Sequence, residues 1–119
     1  MNRRDFAGLQ QLFTAAPERH DLAGAYPDMV VADVGDFMAQ LLRGAPDMRI
    51  GLDDAFASGD KVATRIRILG THQGLLLGRE ATGRQFVISQ LNIYRFENGK
   101  VAESWQLADL AGFDAQTRA

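Results

Sequence analysis

Hydrophobic and polar positions follow two different rhythms along this chain. Near the start, Phe6, Leu9, Leu12 and Phe13 recur every three or four residues, with Gln10 between them; this is the stripe of an amphipathic helix. Pro17 ends that pattern, because proline bars the residue before it from helical geometry. Residues 18–31 keep neither rhythm. Gly24 and Pro27 interrupt them, predicting a short helix or turn and then a loop around Tyr26-Pro27-Asp28. A second helix is predicted over residues 33–43, with Phe37, Met38, Leu41 and Leu42 on one face. Asp33 or Asp36 would satisfy its first free amides, and Gly44 and Pro46 are its stop signals.

From residue 47 the period drops to two. Met48, Ile50 and Leu52 alternate with Arg49, Gly51 and Asp53, and Ser58-Gly59-Asp60 has turn chemistry. A second strand is predicted over residues 62–69, with Thr64, Ile66 and Ile68 on one face and Ala63, Arg65 and Arg67 on the other. Residues 84–96 and 100–107 form a hairpin around Asn98-Gly99, the pair that suits a two-residue turn with positive φ at both positions. Helices first and antiparallel strands afterwards predict an α+β fold, one domain over residues 1–119. Gly70, Gly74, Gly78 and Gly83 stand where bends would curl the sheet into a half-open cone, whose inside is a natural site for a small molecule.

Composition narrows the function. Apolar residues make up 46% and charged residues 24% of the 119, as in ordinary globular domains. The net charge of −2 and dispersed arginines offer no phosphate-neutralising patch, so nucleic acid is not an expected partner. The absence of cysteine removes disulfides and thiolate chemistry, and His20 and His72 have no zinc-binding spacing, so no metal is expected. No apolar run approaches the ~18 residues of a membrane span, and none resembles a secretion signal, so the expected location is cytoplasmic.

The hairpin also permits a parity argument. With a two-residue turn and no bulge, Phe96 pairs with Val101, Tyr94 with Glu103, Asn92 with Trp105, Gln90 with Leu107 and Ile88 with Asp109, all on one face. That face mixes large apolar groups with a few polar ones, as a ligand-binding wall does. A carboxylate there would lose hydration and rise in pKa towards a working acid or base. The alternative is that Glu103 pairs with an arginine and Asp109 caps the segment after it. The opposite face exposes Val87, Leu91 and Ile93, a patch suited to pairing with a second copy.

Several short motifs together resemble one family. They are Pro46-Asp47-Met48-Arg49, Gly59-Asp60-Lys61-Val62 leading to Arg65, Gly70-Thr71-His72-Gln73-Gly74, Gly78, and Thr82-Gly83-Arg84. Ile93-Tyr94-Arg95-Phe96, Asn98-Gly99-Lys100, and Glu103-x-Trp105 with Asp109 complete the set. Over residues 35–113 this pattern is similar to the SnoaL-like polyketide cyclases and predicted ester cyclases. The resemblance implies a cone-shaped fold of the nuclear transport factor type, with N-terminal helices packed on a curved antiparallel sheet. It also implies a homodimer and cofactor-free acid/base chemistry beside a carbonyl, closing a ring by an aldol-type step on a hydrophobic substrate.

Carried over from the family, Asp109 is the expected base and His72 the donor to the enolate oxygen. Gln90, Asn92, Trp105, Glu103, Tyr94 and Ile88 are expected to line the substrate site. The family's longer N-terminal helical region, with its Asp-His pair, is here shortened into residues 1–34, and no histidine lies near Ala32-Asp33. A non-catalytic binding or dimeric interaction domain of the same shape, and a cofactor-independent hydroxylase, are the alternative functions.

Overall fold

The period-two segments become four long antiparallel strands: β2 (Arg49–Ser58), β3 (Lys61–Thr71), β4 (Gln85–Glu97) and β5 (Lys100–Ala108). In the computed structural model, which describes residues 12–22 and 34–118, these strands follow α1 (Val34–Gly44) and precede α2 (Leu110–Thr117). Asn98 and Gly99 have φ of 50° and 77°, the two left-handed residues that close the β4–β5 hairpin without splaying it. The architecture is α+β, with helices against one side of a cone-shaped, curved sheet.

The sheet departs from expectation at its edge. The strand order is β1-β5-β4-β3-β2, where β1 is Phe13–Asp21, running parallel to β5. Residues read as the end of a helix and the start of an ambiguous segment therefore form a strand. Pro17 does not stop a helix but sits in the irregular stretch between the Phe13↔Val101 and Glu18↔Glu103 pairs. Proline lacks an amide proton, so it is tolerated on an edge strand where no ladder bond is missed. The sheet is consequently mixed, not antiparallel throughout. Most of the helix expected from Phe6 onward, and the loop around Tyr26, lie outside the described residues.

The core lies between both helices and one end of the concave face. Met38 and Leu41 of α1, Ala45 and Met48 after it, Ile68 of β3, Phe86 and Ile88 of β4, Ala108 of β5 and Phe113 of α2 are all buried there. Phe113 is fully buried and meets Phe86 edge-to-face at 5.0 Å between ring centres. Asp47 fixes the end of β3, accepting from the Thr71 amide and hydroxyl, each at 2.8 Å.

Two side chains complete the frame. Where β5 has ended, the Gln116 amide takes its place beside β4, accepting from the Val87 amide at 2.7 Å and donating to the Val87 carbonyl at 2.8 Å. Arg79, in the β3–β4 connection, grips Asp114 of α2 through two bonds of 2.7 and 3.0 Å. Gly44 closes α1 against the same connection: its carbonyl accepts from the Gln73 and Gly74 amides at 2.9 and 3.0 Å. A Cβ on Gly74 would lie 2.5 Å from the Arg43 carbonyl oxygen, so only glycine allows this approach. Among the described residues, no helix is long and apolar enough to cross a membrane.

Truncating Phe113 to alanine should lower the unfolding free energy by about 3–5 kcal/mol, measured by urea denaturation. A second expectation concerns acid. Arg79 holds the Asp114 carboxyl below the ordinary aspartate value of 3.8, chiefly through their hydrogen bond. A depressed carboxyl adds stability above its unfolded pKa and loses it as pH falls through the folded value. Asp114→Asn should therefore lower Tm at neutral pH, with the gap from the parent closing as pH falls through the lowered folded pKa of Asp114. An undiminished gap in acid would contradict this.

Candidate functional site on the concave face

One extra residue decides which side chains face the inside of the cone. From the turn, Glu97 pairs with Lys100 and Phe96 with Val101, as the parity argument requires; then Arg95 pairs with Glu103, leaving Ala102 as a bulge. Val101 and Ala102 both point inward and are buried. Every later residue of β5 has exchanged faces. Tyr94, Asn92 and Gln90 now pair with Ser104, Gln106 and Ala108, while Glu103, Trp105 and Leu107 face outward beside Arg95, Ile93 and Leu91. The expected inward placement of Glu103, Trp105 and Leu107 is thereby corrected, and so is that of Asp109, which is exposed and lies opposite Ser89 instead of Ile88. The placement of Ile88, Gln90, Asn92 and Tyr94 on the face of the core stands, because β4 itself carries no bulge.

The inward polar groups of β3 and β4 form a directional chain. The Gln90 side-chain amide donates to Asn92 Oδ1 at 2.7 Å, and Asn92 Nδ2 donates to Thr64 Oγ1 at 3.1 Å. Thr64 stands opposite Asn92 across the β3–β4 ladder. Its hydroxyl also hydrogen-bonds Tyr94; burial pushes the Tyr94 phenol up, and the Thr64 contact partly opposes the rise. With Thr64 accepting from Asn92, its own proton is left for the Tyr94 oxygen. Gln90 and Asn92 are buried and lie among Ile66, Ile68, Ile88 and Ala108. Thr64 was legible as an inward residue of its strand, but its link to Asn92 requires the cross-strand register.

His72 and Asp109 are both engaged by neighbouring structure. His72 is fully buried, and its ring packs on Phe113 at 5.3 Å. Nε2 lies 3.0 Å from the Arg79 carbonyl, which can only accept, so the proton sits on Nε2. In the neutral ring Nδ1 accepts from the Thr82 hydroxyl at 3.1 Å. Both nitrogens therefore hold the β3–β4 connection. Asp109 follows β5, where its amide donates to the Ser89 carbonyl at 2.9 Å. Its exposed side chain accepts from the Gly112 amide at 2.8 Å and caps α2.

Outside the cone, Glu103 takes part in a charged cluster. Arg95 Nε donates to Glu103 Oε1 at 2.9 Å, and His20 Nε2 lies 2.8 Å from Glu103 Oε2. Arg95 first, and His20 second, hold the Glu103 carboxyl below its usual range, the reverse of the rise expected in an apolar wall. Trp105 stacks on His20, with ring centres 5.4 Å apart. His20 is not legible as a partner of Glu103 in the sequence, because nothing in its surroundings signals a strand. Asp53, itself a bulge residue, pairs with Arg67 at 2.8 Å and Arg65 at 3.7 Å on this face.

A family model described as SnoaL-like polyketide cyclase matches residues 1–117. No curated protein matches the chain. Among solved structures, AclR, a candidate hydroxylase from Streptomyces galilaeus, is 26% identical with a TM-score of 0.81, covering 98% of this chain and 85% of that one. TsrD from Streptomyces laurentii is 27% identical, TM-score 0.79, covering 99% and 86%. IdmH, a candidate polyketide cyclase from Streptomyces antibioticus, is 27% identical, TM-score 0.77, covering 97% and 88%. The cone-shaped sheet is of the nuclear transport factor type that these relatives share. On a match that spans nearly its whole length and a fold that agrees with it, the chain belongs to the SnoaL-like polyketide cyclase family.

Proposed function

We propose that this protein is a cytoplasmic, cofactor-free enzyme that binds a hydrophobic, carbonyl-bearing molecule inside the cone and closes a ring by proton transfer beside the carbonyl. The observation that carries this reading is the polar chain Gln90–Asn92–Thr64–Tyr94 on the inner face, set beside Ile66, Ile68, Ile88 and Ala108. Tyr94 lies four positions beyond Gln90 on β4, about 13 Å at strand rise. A ladder of that length suits an extended substrate with more than one oxygen, as a polyketide has. Each donor along it is already oriented, so it can stabilise oxygen charge with little reorganisation.

Asp109 is assigned as the base, taking a proton from the acidic carbon and returning one to the new alkoxide. Tyr94, at the end of the chain, donates a hydrogen bond to a substrate oxygen and keeps its proton, while Gln90 and Asn92 orient the carbonyl nearer Asp109. The donor role passes from His72 to these residues, because both His72 nitrogens are taken by Arg79 and Thr82. Trp105 and Glu103 act from the outer face by holding β5 to β1. The relative AclR brings a neighbouring possibility: a hydroxylase could use the same base to form a carbanion. The capping bond from Gly112 to Asp109 favours a second reading, a binding domain of the same shape without turnover.

The test is deuterium exchange, followed by NMR in D2O, at the acidic carbon of a naphthyl 1,3-diketone probe. The enzyme should accelerate exchange over buffer, and Asp109→Asn should slow it about 100-fold or more. Asparagine caps a helix as well as aspartate does, so this variant removes the charge and keeps the fold. Binding of the probe without exchange above buffer would select the second reading. Equal exchange by parent and variant would remove Asp109 from the mechanism.

The outer face supports a homodimer. Val87, Leu91, Ile93 and Leu107 are all at least 40% exposed there and lie side by side on β4 and β5. Light scattering should show a dimer, and Ile93→Asp should make it a monomer. A parent protein monomeric at high concentration would contradict the pairing.

A further inference from the structure

The pairing of β1 with β5 brings Glu103 beside Glu18 and His20, 83 residues from the histidine in sequence. Glu18 and His20, two apart on one strand, present their side chains to the same face. Glu103 lies opposite Glu18 and Trp105 opposite His20 in the parallel register. His20 Nε2 stands 2.8 Å from Glu103 Oε2 and 3.8 Å from Glu18 Oε2, and all three atoms lie within 4.8 Å of one another. We propose that Glu18, His20 and Glu103 form an outer-face site for a divalent transition-metal ion, Zn²⁺ foremost, with its fourth position open to water.

The donor set fits that ion. Zinc takes imidazole nitrogen and carboxylate oxygen at about 2.0–2.2 Å, and three protein ligands plus water complete a tetrahedron. Ligand atoms in such a tetrahedron stand about 3.3–3.5 Å apart, a spacing that the three atoms bracket. Closing onto the ion needs only rotation of two carboxylates, and Glu18 is exposed enough to make it. Two carboxylates balance the ion's charge.

Neighbouring groups already orient two of the three ligands. Arg95 occupies Glu103 Oε1 at 2.9 Å, which turns the other oxygen towards His20. Trp105 lies nearly parallel to the His20 ring, with an interplanar angle of 19°, and fixes its plane. Outer contacts of this kind are what hold metal ligands in place. The local spacing of the two histidines predicts no metal, but here β1 supplies two ligands and β5 the third. The ion would clip the edge strand β1 to β5, independently of any reaction inside the cone. Lacking a second imidazole, the site is a modest one, and the Arg95 charge weakens it further.

The test uses the untagged full chain, stripped of metal by chelator, and Zn²⁺ alone as the probe. Calorimetric titration should give one site per chain with micromolar affinity, and Trp105, the only tryptophan, should report binding through its fluorescence. His20→Ala and Glu103→Gln should each weaken Zn²⁺ binding at least tenfold. Glu18→Gln, at an exposed position with no part in the core, should weaken it severalfold without changing Tm in the absence of metal. Failure to bind Zn²⁺ would overturn the proposal, and so would binding that survives His20→Ala and Glu18→Gln unchanged with no tryptophan response.

Discussion

The one-residue bulge at Ala102 is the constraint on which the organisation of this protein turns. A strand has a side-chain period of two, so a single extra residue exchanges inside for outside along everything beyond it. Without it, Glu103 would be carried into the apolar interior and Trp105 onto the inner wall. With it, Ser104 and Ala108 fill the inner positions, and the charged and aromatic groups of β5 meet β1 and β4 on the outside. The bulge leaves the Gln90–Asn92–Thr64 hydrogen bonds on the inner face and puts the Arg95–Glu103 ion pair on the outer one.

That separation matters energetically. Inside, Gln90, Asn92, Thr64 and Tyr94 satisfy one another without placing a full charge in a poorly hydrated space, where an unpaired ion would cost several kcal/mol. The phenol at the end of the chain is pushed towards its neutral form by burial, which keeps its proton available for donation. Outside, Asp53 with Arg67 and Glu103 with Arg95 are partly buried ion pairs at the protein surface, which order the long side chains of the sheet face.

Much of the fold was legible before any coordinates, and the reasons differ by element. α1 announced itself by the spacing of Met38, Leu41 and Leu42 and by Gly44, and β2 to β5 by their alternation and by Asn98-Gly99. β1 was not legible: Phe13–Asp21 contains Pro17, has no clean alternation, and pairs in parallel with a strand some 80 residues away, an interaction no local pattern reports. The candidate site divides in the same manner. Residues on unbulged β4 were placed on the correct face, whereas those of β5 beyond Ala102 were not. Nothing near Val101-Ala102-Glu103 marks a bulge, since alanine fits a paired position equally well. His72 and Asp109 stood out as isolated polar residues, but only the bonds to Thr82, Arg79 and Gly112 show what engages them.

The two outermost strands carry a further consequence. A flat, regular sheet edge invites the strand of another molecule and is a common start of fibrous aggregation. β1 is irregular between Phe13 and Glu18 and holds a proline there, while β2 is broken between Leu52 and Asp54 by the bulged Asp53. Among the described residues, neither outermost strand is regular along its whole length. Lateral growth of the sheet is discouraged at both sides by the same irregularities that shape it.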